Sequence, residues 1–173
     1  MKKHISLKRL TLLALFTTLA MAIYYVESLL PTLVPIPGIK LGLANIITLL
    51  VLKYFSAKEA FWVLLARILL VSFAFGQFLS LFYSLAGGIL CLLSMWLVNR
   101  LLNGSFLFLT SIFGALFHNL GQLLVAMLLT KSFAVLTYLP FFILSATITG
   151  LFTGLCAHFT QKHLGKLLRS QLI

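Results

Sequence analysis

Two acidic residues, Glu27 and Glu59, stand against thirteen Lys and Arg in a chain of 173 residues, and the basic residues gather between long apolar stretches. That layout leaves almost no aqueous fold open to the chain. A soluble domain is about one quarter charged and about half apolar. Here 9% of residues are charged, 62% are hydrophobic and the mean hydropathy is +1.15. Lipid must replace water as the solvent for most of the surface, and a single membrane domain over residues 1–173 follows. The net charge of +11 does not point to nucleic acid. The basic residues cap the ends of apolar runs, where anionic headgroups meet them.

Six runs approach the roughly 20 apolar residues that a spanning helix needs. They cover about residues 10–30, 41–55, 60–75, 78–98, 106–129 and 135–159; the second is short. The expected fold is all-α, with six transmembrane helices. With six spans, ten basic residues fall on one side: Lys2, Lys3, Lys8, Arg9, Lys53, Lys58, Arg100, Lys162, Lys166 and Arg169. Lys40 and Lys131 fall on the other, and Arg67 lies inside the third run. Positive residues stay on the cytoplasmic side, so both termini are expected there, in a multi-pass protein of the plasma membrane. Ala20-Met21-Ala22 imitates a signal cleavage site, but the apolar run is too long and flows into further spans.

Arg67 is the sharpest chemical signal. It sits about 13 Å into its helix at 1.5 Å per residue, where an arginine costs about 2.5–3.5 kcal/mol on insertion scales. It needs a partner or a wet cavity, and Glu27 is the acid within a span that suits it. In the fifth run Gly114, His118 and Gln122 follow at i, i+4 and i+8, with Asn119 alongside. Polar side chains at that depth must face protein, water or ligand. Asn45 and Gln77 belong to the same outer layer, and Tyr83, Ser84, Gly87 and Gly88 follow in the fourth run. The expected picture is an outward-facing pocket beneath a stiff loop containing Pro31, Pro35, Pro37 and Gly38. Its expected lining is Arg67, His118, Asn119, Gln122, Asn45 and Glu27. Ala14, Thr18 and Ala22 form a small-residue stripe on the first helix that admits close approach of another helix.

Other chemistry is excluded by residue type. The chain has no aspartate and no carboxylate cluster for metal-diphosphate chemistry, and no GxxxxGK[ST] for ATP. Cys91 and Cys156 lie inside apolar runs without metal-ligand spacing, as buried thiols do. No catalytic triad, metal site or cofactor is expected, and no enzyme activity of the chain's own.

Several segments carry a resemblance. They are Pro35-Ile-Pro-Gly-Ile-Lys-Leu-Gly-Leu-Ala-Asn45, Ser84-Leu-Ala-Gly-Gly88, Phe117-His-Asn-Leu-Gly-Gln122 and Tyr138-Leu-Pro140. Over about residues 10–160 the chain resembles the Gx transporter family, also labelled heptaprenyl diphosphate synthase component I. That family is similar to the substrate-binding (S) components of energy-coupling-factor transporters. The resemblance implies an importer subunit that captures a small molecule from outside and docks on a membrane coupling protein carrying two ATPase subunits. It makes Ala14, Thr18 and Ala22 the docking stripe, the proline loop the gate and the polar layer the substrate site. Thr18 departs from the alanine usual there. The other label implies a different role: an accessory subunit of prenyl diphosphate or quinone synthesis, or of extracellular electron transfer, without catalysis of its own. A proton-coupled carrier using Glu27 is a third.

Overall fold

The computed structural model describes residues 6–29, 40–104 and 106–172, excluding the side chains of 164 and 166–172. The proline loop lies outside the described residues.

The described chain is helical, with no strand. Helix α1 is Leu7–Ser28, α2 Asn45–Tyr54, α3 Ala57–Phe75, α4 Phe78–Leu101 and α5 Leu107–Thr130. A 3-10 turn, Phe133–Tyr138, leads into α6, Leu139–Leu172. The boundaries follow local chemistry. Ser6 opens α1 by accepting the backbone N–H of Arg9. Ser56 and Glu59 form a reciprocal capping box on α3: the Ser56 hydroxyl accepts the Glu59 N–H, and the Glu59 carboxylate accepts the Ser56 hydroxyl at 2.8 Å. Gly76, at φ +63°, ends α3 in the left-handed region that glycine enters without penalty. Pro140 falls in the first turn of α6, where its missing N–H costs nothing.

Among the described residues, four helical stretches are long and apolar enough to cross a membrane: Leu7–Ser28, Phe78–Leu101, Leu107–Thr130 and Phe133–His163. The second expected span, short already in the sequence, is shorter still as helix α2. Its 10 residues rise about 15 Å, half of a hydrocarbon core of about 30 Å. Residues 41–44 are apolar, but Gly42 takes φ +86° and the helix starts only at Asn45. Helix α3 has the length but carries Lys58, Glu59 and Arg67.

The helices run alternately up and down. One end is marked by contacts between loops and helix ends distant in sequence. Arg9 at the start of α1 holds Glu59 at the start of α3 with two hydrogen bonds, 2.6 and 2.8 Å. Lys53 at the end of α2 donates to the Gly104 carbonyl at 2.6 Å, and Gly165 of α6 abuts Tyr54. At the opposite end Tyr24 of α1, Lys40 and Gln77 meet.

Large apolar side chains stay exposed around the perimeter, including Phe73, Phe82, Leu128 and Phe141. A continuous apolar jacket of that kind suits lipid. Inside, α4, α5 and α6 touch backbone to backbone. A Cβ on Gly121 would lie 2.7 Å from the Ala86 carbonyl, and one on Gly150 2.7 Å from the Ile112 Cα. Small hydroxyls within this block also bond between helices, as in Ser111 of α5 to Thr153 of α6 at 2.7 Å. Cys91 is buried and Cys156 partly so, both as free thiols.

Candidate functional site

Polar groups from four helices and the segment before α2 converge in the interior. Glu27, near the end of α1, is 4% exposed. Its Oε1 accepts the backbone N–H of Gly42 at 2.6 Å, with the Ala44 amide close by. Gly42 in turn lies against His118 of α5. A Cβ there would sit 2.7 Å from His118 Cδ2 and 2.9 Å from Asn45 Nδ2. On the other side of the imidazole is Gly87 of α4, where a Cβ would sit 2.8 Å from His118 Nδ1. The histidine is therefore held between two glycines, and no larger residue fits at either position.

Gln122, one turn along α5, places Nε2 at 3.1 Å from His118 Nε2. With the amide donating, the imidazole proton resides on Nδ1, facing Gly87. Arg67 of α3 donates from Nη2 to Asn45 Oδ1 at 3.4 Å, at the long limit of a hydrogen bond. Arg67 and Glu27 lie close enough to feel each other's charge, but among the described residues the one direct ion pair is Arg9–Glu59. Arg67 and Glu27 thus act on each other through charge without a direct ion pair, Arg67 bonding Asn45 and Glu27 bonding Gly42.

Three atoms in this cluster are buried without a hydrogen-bond partner: Asn45 Nδ2, His118 Nδ1 and Gln122 Oε1. The Gly87 backbone is near His118 Nδ1 but outside good hydrogen-bond geometry. Each unmet group costs about 1–3 kcal/mol. Buried polar atoms in folded chains are nearly always paired, so three together mark a place where the protein alone does not complete the network.

A second polar layer lies toward the end of the bundle that holds Lys40. The Tyr24 hydroxyl bonds Ser80 Oγ at 2.7 Å and Gln77 Oε1 at 3.2 Å. Lys40 Nζ donates to Gln77 Oε1 at 3.1 Å and rests 3.5 Å from the centre of the Tyr24 ring.

The family model for heptaprenyl diphosphate synthase component I matches residues 16–160. The chain belongs to the heptaprenyl diphosphate synthase component I family. The match contains every residue of the cluster. No curated protein and no solved structure matches the chain.

In this heptaprenyl diphosphate synthase component I chain, five of the six expected pocket residues meet: Glu27, Asn45, Arg67, His118 and Gln122. Asn119 does not face them. It turns toward α6, donating from Nδ2 to the Phe142 carbonyl at 2.8 Å, because adjacent helix positions point about 100° apart. Tyr83 also leaves the layer, packing into an apolar cluster with Leu123, Ala126 and Phe142. Gly42 is the contributor that residue chemistry did not reveal. Its signal is a glycine three residues before a buried polar Asn45, at the start of an apolar run. Tyr24 was missed likewise, one turn before Glu27. Ala14, Thr18 and Ala22 are all exposed on the outer face of α1, while Phe16, Ala20, Tyr24 and Glu27 form its buried face.

Proposed function

We propose that this chain is the substrate-binding subunit of an energy-coupling-factor type importer, six-spanning in the plasma membrane with both termini cytoplasmic. The short α2, continued by residues 40–44, serves as the second crossing. The observation that carries this reading is the incomplete buried network of Asn45, His118 and Gln122 beside Arg67. A purely structural membrane subunit gains nothing from three unmet polar atoms in its interior, whereas a binding protein completes them with its ligand. The exposed Ala14, Thr18 and Ala22 suit docking on a coupling protein with two ATPase subunits. The chain itself performs no catalysis in this reading.

Affinity purification from native membranes in mild detergent tests it. Recovery of two ATPases and a membrane coupling protein, lost on Thr18→Trp, is the expected result. The family description favours a second reading, a non-catalytic accessory subunit for prenyl diphosphate or quinone synthesis. Recovery of a prenyl synthase or redox partner without ATPases decides for that reading and against import.

A further inference from the structure

The chemical class of the ligand follows from donors, acceptors and charge in the cluster, granted the binding reading above. Arg67 is 5% exposed. A guanidinium has five N–H donors, and among the described residues only the 3.4 Å contact to Asn45 uses one. The neighbouring Asn45 Nδ2 is an idle donor. Arg67 and Asn45 together form a fork of unmet N–H groups, the arrangement that suits a planar oxyanion. Beside His118, Gln122 Oε1 is an idle acceptor and calls for a donor.

Charge sets the valence. Lys40 and Arg67 both act on Glu27, two positive charges on one carboxylate. Residues 30–39 contain no charged side chain, so the adjoining loop brings no further acid. Counted over the buried Arg67 and Glu27 and the partly exposed Lys40, one positive charge remains for an anion to balance. A phosphate monoester carries more negative charge than the site compensates, and a neutral amide carries too little.

We propose that the site takes a small monocarboxylate, its carboxylate on Arg67 and Asn45 Nδ2, with a hydroxyl or N–H of the same molecule on Gln122 Oε1. Lys40, fixed at the rim by Tyr24 and Gln77, attracts the anion toward the entrance.

The test is the mass spectrum of small molecules released on denaturing wild-type protein purified from native membranes, alongside Arg67→Gln, Asn45→Asp and Gln122→Met. The expected result is a non-lipid species that ionises as a monoanion and loses carbon dioxide on fragmentation. It should be retained roughly tenfold less or worse by each variant, as expected for lost hydrogen bonds to a charged group. Gln122→Met removes the acceptor without adding charge, and ligand retained per folded protein, with the melting temperature read alongside, separates lost binding from lost folding. A neutral, cationic or phosphorylated species overturns the monocarboxylate assignment, as does full retention by Gln122→Met or the absence of any non-lipid species. Any of these alongside recovered ATPases leaves the importer reading standing. Absence of both ligand and ATPases removes the two together.

Discussion

Gly42 donates its backbone N–H to the Glu27 carboxylate at 2.6 Å, so an acid on α1 fixes the segment that leads into α2. The same glycine lies against His118 of α5. One residue without a side chain thus joins the N-terminal helix to the centre of the bundle, and Glu27 has a structural task besides its charge.

Glu27→Gln should therefore weaken the fold. It replaces a charge-assisted hydrogen bond by a neutral one and leaves Arg67 and Lys40 without their carboxylate. A loss of about 1.5–3 kcal/mol is expected, read as a lower melting temperature in detergent. An unchanged melting temperature contradicts the role assigned to the Gly42 contact.

Gly42→Ala and Gly76→Ala form a matched pair, since both glycines have positive φ. At Gly76 a Cβ meets nothing within 4 Å, and only the left-handed backbone term of about 1–2 kcal/mol applies. At Gly42 the same term is joined by collision with His118 and Asn45. The Gly42 variant should melt clearly lower than the Gly76 variant; equal melting temperatures contradict the close packing of Gly42 on His118.

Asn119→Ala separates strap from site. It removes the hydrogen bond to the Phe142 carbonyl and should destabilise by about 1–3 kcal/mol, while ligand retention per folded protein stays at the wild-type level. A selective loss of ligand instead would return Asn119 to the pocket.

Arg9→Ala should cost little, about 0.2–1 kcal/mol, despite its two short hydrogen bonds to Glu59. Both side chains are partly exposed, 32% and 15%, and solvent screens such pairs. Ser56→Ala breaks the capping box on α3 and should cost about 1 kcal/mol. Chemical denaturation of the two variants ranks them, and a larger effect at Arg9 contradicts the screening argument.

Much of the bundle was legible because lipid imposes a length rule. The ends of α3, α4 and α5 fall within a few residues of the apolar runs. The start of α2 was not legible, since Leu41, Leu43 and Ala44 satisfy hydropathy whether or not the backbone is helical, and only the φ of Gly42 distinguishes the two. Within the site, residue type and depth identified Arg67, Asn45, His118 and Gln122, because polar groups in hydrocarbon have few uses. Direction was harder. Helical spacing correctly joined His118 to Gln122, whereas Asn119 was grouped by adjacency in sequence and belongs to another face. Opposite charge related Glu27 to Arg67, which do act on each other, but it did not reveal that each bonds another group, Gly42 and Asn45. The Ser56–Glu59 box was readable as S-x-x-E and explains how the second acid of the chain is used.

The glycine contacts of Gly121 and Gly150 leave α4, α5 and α6 without slack. Helices that already touch at the backbone have no gap to close and little freedom to slide. In the binding reading, a change of shape that admits a ligand therefore belongs to the α1–α3 half, moving against a stationary wall. In that reading, the boundary between the two halves runs through Gly42 and His118, beside the three unpaired atoms.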